Sequence, residues 1–200
     1  MLSLVIQAGG KSSRMGNDKA LMPFLGRPLI ERVIQRLIHA ANEVLITTNV
    51  PEEYRFLNIP LIPDKIPGRG ALGGLYTALE AASHPLVAVI ACDLPFVNAG
   101  ILSLAQRALV DTSIDAAIPS TKHGLEPLHA IYRRDTCLPA VKAAIADDQW
   151  RLISWHQAVT VHFIGQAEIQ RCDPDGIAFW NLNTPQAFQE AESIARLSDQ

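Results

Sequence analysis

The fold is decided by residues 2–19, which read LSLVIQAGGKSSRMGNDK. The first part, Leu2 to Ile6, is almost continuously apolar, as expected for a strand that is buried on both faces of a sheet. A polar stretch rich in glycine follows directly, from Gly9 to Lys19. Because the ligands of open α/β sheets bind beyond the carboxyl ends of the strands, this order predicts a ligand-binding loop after the first strand.

Strands and helices alternate along most of the remaining chain. Apolar residues at helical spacing from 29 to 41 predict a first helix, with Pro28 near its first turn. Further strands are predicted at 43–48, 61–62, 86–91, 115–118, 129–132 and 159–164, and further helices at 72–82, 98–110, 136–146 and 185–197. This alternation is typical of an α/β fold with a mostly parallel sheet that is covered by helices on both sides.

The composition excludes several classes of protein. The 200 residues are 48% hydrophobic and 18% charged with a formal net charge of −3, which is typical of a globular chain. A general nucleic-acid binder would need a basic face, and no apolar run reaches the roughly 20 residues of a membrane span. The first residues lack the basic segment of a signal peptide. We therefore predict one domain, 1–200, in the cytoplasm, with no nucleic-acid or membrane partner.

The side chains that most often act as nucleophiles or metal ligands form no recognisable site. Cys92, Cys137 and Cys172 are widely separated and form no CxxC pair, which argues against a zinc site or a disulfide framework. The six histidines are scattered without metal-ligand spacing. We interpret the histidines as surface or packing residues, and Cys92 as a small buried residue at a strand end.

The glycine-rich loop has the groups that a phosphate site needs. Its glycines permit close backbone approach, so that N–H groups can point at an anion. Arg14 and Lys19 can neutralise a polyphosphate. A solvated surface loop is the alternative, but the position directly after a buried strand favours phosphate binding. We predict a nucleotide site at the start of the chain that includes Gln7, Ala8, Gly9, Gly10 and Lys19.

Two familiar motifs occur in the sequence without their required context. Residues 10–12, Gly-Lys-Ser, resemble the end of a P-loop, but the earlier glycine would fall at Val5, inside the first strand. Residues 68–73 match GxGxxG literally, yet they follow Pro63 and Pro67 instead of a clean strand. Neither a Walker A loop nor a dinucleotide fingerprint is predicted, although the second segment can still contact a ligand.

Residues 8–33, AGGKSSRMGNDKALMPFLGRPLIERV, resemble the signature of the molybdenum cofactor guanylyltransferases, within the larger nucleotidyltransferase superfamily. Further pieces follow in the family's order: Pro63-Asp64, GALGG at 70–74, CDLPF at 92–96, EPLHAIYR at 126–133 and NLNTP at 181–185. The resemblance spans most of the chain. It implies a Rossmann-like three-layer α/β/α fold of the nucleotide-diphospho-sugar transferase type. Residues up to about 120 would then bind the nucleotide, and the remainder the acceptor.

Two departures from the family pattern concern specificity. Gln7 stands where the family usually has Leu, and Ala71 stands where it often has Pro. Neither change removes a charged or metal-binding group. Relatives that use CTP tend to have Ala-Ala-Gly in the first loop, whereas this chain has Ala-Gly-Gly at 8–10. The resemblance therefore implies GTP as the substrate, and leaves a CTP-using enzyme as the alternative.

Carboxylates after the strands are the candidate metal and nucleotide ligands. Asp93 stands just past the strand predicted at 86–91, and Mg²⁺ arriving with a triphosphate takes one or two protein carboxylates. We predict Asp93 as the ligand of Mg²⁺, the expected cofactor; the alternative is an Asp that accepts N–H bonds in the turn after it. By resemblance, Asp64 and Asn49 contact the guanine nucleotide, and Asn49 could equally form a turn.

The predicted reaction is attack of an acceptor phosphate oxygen on the α-phosphorus of GTP, with release of pyrophosphate. The attacking phosphate is already ionised, so that no general base is needed. Catalysis would then consist of positioning and charge neutralisation. We assign these roles to Arg14, Lys19 and Asp93 with its Mg²⁺.

The acceptor implied by the resemblance is molybdopterin, bound by 126–129 and 181–184. Asn181 and Asn183 either contact it or shape the turn before the last helix, where Thr184-Pro185 looks like an N-cap and first-turn proline. Apo-molybdoenzymes or other proteins of molybdenum cofactor biosynthesis are possible partners. The alternatives are a cytidylyltransferase for the same acceptor, a nucleotidyltransferase for another phosphorylated metabolite, and a nucleotide-binding accessory module without turnover.

Overall fold

The computed structural model describes residues 1–8, 18–110 and 112–198. The strands of these ranges are β1 (Leu2–Gln7), β2 (Pro23–Phe24), β3 (Arg27–Pro28), β4 (Glu43–Thr47), β5 (Leu61–Ile62), β6 (Leu86–Ala91), β7 (Ala116–Thr121), β8 (Gly124–Leu125), β9 (His129–Arg133) and β10 (Val161–Ile164). The helices are α1 (Leu29–Leu37), α2 (Gly70–Ala81), α3 (Ala99–Leu109), α4 (Arg134–Ala146), α5 (Gln166–Cys172) and α6 (Pro185–Ser198). Short 3₁₀ turns lie at Lys19–Leu21, Ile38–Ala40, Pro51–Leu57 and His156–Ala158.

The main sheet has the strand order β10-β7-β9-β6-β1-β4-β5, and β8 pairs with the end of β7. β1 is parallel to both β4 and β6, and β4 is parallel to β5. β9 is inserted antiparallel between β6 and β7. The mostly parallel sheet that the alternation of strands and helices predicted is confirmed, with β9 running against its neighbours.

The register of the central strands aligns the carboxyl ends of β1, β4 and β6. Gln7, the last residue of β1, is aligned with Thr47 on β4 and with Ala91 on β6. Backbone bonds continue past the strands: the N–H of Ala8 donates to the Thr47 carbonyl at 2.8 Å, and the N–H of Cys92 donates to the Gln7 carbonyl at 3.2 Å. The segments after β1, β4 and β6 therefore emerge side by side at one edge of the sheet.

Helices cover both faces of the sheet. Successive side chains of a strand point to opposite faces, and in β1 Leu4 and Ile6 pack with residues of α1 and α3, such as Val33. Val5 points the other way and packs with residues of α2 and α4, such as Leu75. The three-layer α/β/α arrangement is confirmed.

A third apolar cluster attaches the last helix to the main body. Phe24 of the β2–β3 hairpin contacts Phe96, with ring centroids 6.5 Å apart, and Phe188 of α6, at 6.4 Å. The Thr184 hydroxyl accepts a bond from the N–H of Ala187 at 3.1 Å, which caps α6 at the position that the sequence predicted. The loop before α6 is thus fixed beside the residues that follow β6.

Several short elements were not predicted from the sequence. These are the two-residue strands of the β2–β3 hairpin, the two-residue β8 and the seven-residue α5. Elements this short have too few residues to show a period of two or of 3.6. Among the helices of the described ranges, none is both long enough and apolar enough to cross a bilayer.

Candidate functional site

A cavity of about 930 Å³ opens at the carboxyl ends of β1, β4 and β6. The predicted site residues that line it are Gln7, Lys19, Asn49, Asp64 and Asp93. These residues come from four separate loops, which the parallel strands deliver to one edge of the sheet. The structure thus brings these five predicted residues together around one cavity.

Of the predicted site residues that the structure describes, Ala8 is not among those that line the cavity. Its side chain is buried, with 3% of its surface exposed. Gly9, Gly10 and Arg14 lie outside the described residues. Their predicted contacts with phosphate groups stay predictions.

Lys19 and Asp93 form the centre of the site. The Lys19 ammonium is 3.5 Å from Asp93 Oδ2 and donates to Asn183 Oδ1 at 2.5 Å. Less than a fifth of either charged side chain is exposed, 19% for Lys19 and 18% for Asp93. Burial raises the pKa of Asp93, and the Lys19 ammonium opposes that rise. A cation and a carboxylate are therefore held together at the cavity wall, out of bulk water.

Asp18 and Tyr54 position Lys19. The Asp18 carboxylate accepts from the N–H of Ala20 at 3.0 Å and so caps the short helix Lys19–Leu21. Its other oxygen accepts from the hydroxyl of Tyr54 at 2.5 Å, and Tyr54 is fully buried. This role of Asp18 was not predicted from the sequence, although an Asp directly before a short helix is the usual sign of a cap. The Asp18 carboxylate thus links the short helix that begins with Lys19 to the buried Tyr54.

The segment before α6 closes over the same centre. The N–H of Leu182 donates to the Asp93 carbonyl at 3.1 Å, Asn183 accepts from Lys19, and Asn181 lines the cavity. The sequence left two roles open for these asparagines. Asn183 contacts a charged group of the site, and a contact of either asparagine with an acceptor stays a prediction.

One side wall of the cavity is formed near β4 and β5. Asp64 lines it, but its Oδ1 already accepts from the N–H of Ile66 at 3.1 Å and from the hydroxyl of Thr77 at 2.9 Å. Gly68 and Gly70 of the literal GxGxxG segment also line this wall, with φ angles of +89° and +57° that favour glycine. The segment opens α2 and faces the cavity without forming a dinucleotide fingerprint.

Gln7 lies against the first turns of α2. A Cβ added to Gly74 would be 2.8 Å from Gln7 Oε1, so that the amide could keep this position only beside a glycine. The Nε2 atom of Gln7 is buried and has no hydrogen-bond partner among the residues that the structure describes. The residue that departs from the family pattern thus places an unpaired amide group at the cavity wall.

The opposite wall combines one carboxylate with apolar residues. Glu126, Pro127, Leu128 and Leu152 line the cavity there. Burial raises the pKa of Glu126, and a hydrogen bond from a neighbouring hydroxyl opposes the rise. His129 directly behind this wall is fully buried, and burial lowers its pKa to about 4. A neutral packing histidine agrees with the interpretation made from the sequence.

The carboxylate at the centre of the site suits a metal ion that takes its other ligands from water and from a bound substrate. In residues 1–8, 18–110 and 112–198, no cluster of three or more His, Cys, Asp or Glu side chains is arranged to hold a metal. Asp93 nevertheless offers a carboxylate oxygen at the cavity wall. Mg²⁺ typically takes one or two carboxylates and completes its shell with water and phosphate oxygens. Asp93 is suited to that arrangement.

Residues 4–159 match the family model described as the MobA-like NTP transferase domain. The chain is 34% identical over 198 residues to a Carboxydothermus hydrogenoformans protein named "probable molybdenum cofactor guanylyltransferase", covering 99% of this chain and 98% of the relative. It is 31% identical over 193 residues to the molybdenum cofactor guanylyltransferase of Desulfosudis oleivorans, covering 96% and 95%. These matches extend over almost the whole length of both relatives.

A solved structure has the same fold. The molybdopterin-guanine dinucleotide biosynthesis protein A from Archaeoglobus fulgidus superposes with a TM-score of 0.82 and 24% identity, covering 98% of this chain and 99% of that one. The fold, the family model and the two relatives agree with the resemblance seen in residues 8–33. The chain therefore belongs to the MobA-like NTP transferase family.

Proposed function

We propose that this protein transfers GMP from GTP to molybdopterin, forming molybdopterin guanine dinucleotide and pyrophosphate. The observation that supports this most strongly is the Lys19–Asp93 pair, held at 3.5 Å in the wall of a large cavity. A cation and a metal-binding carboxylate side by side are what a triphosphate needs. The printed names of the full-length relatives support the choice of guanine nucleotide and acceptor.

The proposed chemistry is an in-line displacement at the α-phosphorus. An ionised phosphate oxygen of the acceptor forms a bond to this phosphorus, and the bond to the β-phosphate oxygen breaks, so that pyrophosphate leaves with the electron pair. No proton has to move. Lys19 and Arg14 neutralise negative charge on the phosphates, and the fixed position of Lys19 avoids reorganisation during the reaction. Bound Mg²⁺, held by Asp93, would add further charge neutralisation at the phosphate oxygens.

The two substrates are assigned to opposite walls of the cavity. Asn49 and Asp64, near β4 and β5, are proposed for the nucleotide, together with Gln7 between them and the centre. Glu126 and Asn181 are proposed for the acceptor. This division follows the prediction that residues up to about 120 bind the nucleotide and the remainder the acceptor, within one domain, which stays a prediction. The cytoplasmic location and a role for apo-molybdoenzymes as partners stay predictions.

The test begins with nucleotide binding. Calorimetry with Mg²⁺ present would compare GTP, CTP and ATP on the wild-type protein and on Lys19→Ala. We expect preferential GTP binding that is weakened in the variant, because the ammonium no longer neutralises the triphosphate. A preference for CTP would move the enzyme to the cytidylyltransferase alternative. Failure of every triphosphate to bind would overturn the proposal.

Turnover then separates an enzyme from an accessory module. Pyrophosphate release is measured with GTP, Mg²⁺ and molybdopterin, and again with the acceptor omitted. We expect release that depends on the acceptor. Tight GTP binding without any acceptor-dependent release would instead favour a nucleotide-binding module.

A further inference from the structure

Two carboxylates line the cavity from opposite sides. Asp64 follows β5, whereas Glu126 precedes β9. The strand order places β5 on one side of the β6–β1 pair and β9 on the other. Both side chains line the same cavity, with Lys19 and Asp93 between these two walls. The cavity therefore has one carboxylate in each of the walls assigned to a substrate.

The backbone of Glu126 is fixed on both sides of the residue. Its N–H donates to the carbonyl of Pro119 at 2.9 Å, and its carbonyl accepts from the N–H of His129 at 3.1 Å. The next strand is anchored as well, because the N–H of Ala91 on β6 donates to the Leu128 carbonyl at 2.9 Å. Glu126 is thus presented from a rigid turn at the sheet edge, which is the kind of support a recognition group requires.

The carboxylate of Glu126 has acceptor capacity left for a ligand. The hydroxyl of Thr121 donates to its Oε1 at 3.2 Å. A carboxylate offers about four acceptor positions. No ion pair to Glu126 is found within the described residues, and partial burial raises the pKa of its carboxyl group. The free positions therefore suit a neutral N–H donor group, which would satisfy a half-buried acceptor.

The surroundings of Glu126 suit a flat ring. Pro127, Leu128 and Leu152 line the cavity on the same wall. Apolar walls with a few placed polar groups are the usual form of a heterocycle site, because the walls contact the ring faces and the polar group fixes its edge. A flat heterocycle with two adjacent N–H donors on one edge fits this combination.

We propose that Glu126 binds the 2-amino-4-oxopyrimidine edge of the acceptor's pterin ring. That edge has a ring N–H next to an amino group, which a single carboxylate can accept together. The inference rests on the proposed function, which supplies a pterin as the acceptor. Guanine has the same edge and is assigned to the Asp64 side. Asp64 would then bind guanine and Glu126 would bind the pterin, two heterocycles that carry the same hydrogen-bond donors on this edge.

The test compares pterin with lumazine, in which an oxo group replaces the 2-amino group. Binding of each is followed by the fluorescence of the free heterocycle, on wild type and on Glu126→Gln in the presence of GTP and Mg²⁺. Glutamine keeps the shape of the side chain but replaces one acceptor oxygen with a donor. Since hydrogen bonds to charged groups are the stronger class, we expect about 10- to 100-fold weaker pterin binding, and less than about a 3-fold change for lumazine.

Two matched variants sharpen the assignment. Thr121→Val removes the hydroxyl that orients the carboxylate, and we expect a smaller loss of pterin binding, about 3-fold. Asp64→Asn is expected to weaken GTP binding and leave pterin binding unchanged. In turnover, Glu126→Gln should raise the KM for molybdopterin much more than it lowers kcat, because Glu126 would contact the pterin ring and not the reacting phosphates. Unchanged melting of Glu126→Gln would exclude misfolding as the cause.

Three results would overturn the assignment while leaving the proposed function intact. In the first, the wild type turns over but does not bind pterin. In the second, Glu126→Gln weakens the binding of pterin and of lumazine equally. In the third, Glu126→Gln weakens the binding of GTP and leaves the binding of pterin unchanged. Failure of the wild type to bind any triphosphate would instead overturn the proposed function itself.

Discussion

At the amino end of the sheet, Glu43 accepts hydrogen bonds from the hydroxyl of Ser3 and from the N–H and hydroxyl of Ser83, at 2.9 and 2.7 Å for Ser83. At the carboxyl end, Asp93 faces the Lys19 ammonium at 3.5 Å. Burial acts to raise the pKa of both carboxyl groups. For Glu43 the bonds from Ser3 and Ser83 outweigh burial and lower the pKa, whereas for Asp93 the pKa stays raised.

The different surroundings of Glu43 and Asp93 assign stability to one end of the sheet and function to the other. The amino-end carboxylate is satisfied by the protein itself, so that its charged form stabilises the folded state. The carboxyl-end carboxylate is stabilised only in part, and a cation or ligand has to complete its surroundings. Substitutions at the carboxyl end should therefore reduce turnover far more than they reduce stability. Substitutions at the amino end should do the reverse.

The largest effect is expected for Lys19→Ala. Loss of the fixed ammonium should lower kcat/KM by about 100- to 1,000-fold, as is typical for a preorganised charge at a reacting phosphate. The free energy of unfolding should fall by only about 1–2 kcal/mol, a loss that arises because removing one member of a largely buried pair leaves Asp93 without its nearest counter-charge. Steady-state pyrophosphate release and urea unfolding would check both values. Lys19→Arg keeps the charge and should retain more activity; equal losses in both variants would show that charge is not the cause.

The next effect in size is expected for Asp93→Asn. The amide keeps the shape of the side chain but binds Mg²⁺ poorly, so we expect about 100-fold lower kcat at a given Mg²⁺ concentration. Because the raised pKa means that the ionised carboxylate is disfavoured by folding, removing the charge should not destabilise the protein. Turnover measured as a function of Mg²⁺ concentration tests the effect on kcat, and thermal unfolding of the same variant tests the effect on stability. A stability loss above about 2 kcal/mol with full turnover would contradict the comparison.

Tyr54→Phe should lower both stability and turnover moderately, since the Tyr54 hydroxyl connects the protein interior to the segment that contains Lys19. Removing the hydroxyl leaves Asp18 without one hydrogen bond, which should cost about 1–2 kcal/mol of unfolding free energy. A less rigid Lys19 should lower kcat by about 3- to 10-fold, with little change in KM. Denaturant unfolding and kcat are measured on the same preparation. Intact kcat despite the stability loss would restrict Tyr54 to a structural role.

The smallest effect is expected for Glu43→Gln. At neutral pH we expect a loss of about 1 kcal/mol in unfolding free energy, allowing for partial exposure, and no change in turnover. The stabilisation from Glu43 is fully present above the usual pKa of 4.5 and disappears as the pH falls through the lowered folded-state value. Wild-type stability should therefore converge with that of the variant on acidification. Unfolding curves between neutral and acidic pH test this, and a constant difference across that range would argue against it.

Much of the site could be predicted from local sequence. Asp93 was identified because it stands just past an apolar strand, and Lys19 because it ends the glycine-rich loop that follows another, since the carboxyl ends of such strands form ligand sites. Asp18 was missed as a positioning residue because its partner Tyr54 is 36 positions away. The contact between Lys19 and Asn183 joins residues 164 positions apart, and no local pattern in either segment indicates it.

The sequence by itself determined the order of elements, the layered α/β class and the family, because apolar periodicity and the motif at residues 8–33 are properties of contiguous residues. Only the tertiary structure decided that β9 is inserted antiparallel beside β6, and with it that Glu126 faces the same cavity as Asp93. Strand order depends on which non-consecutive strands pack together, and this is set by long-range burial and hydrogen bonding that no single segment specifies.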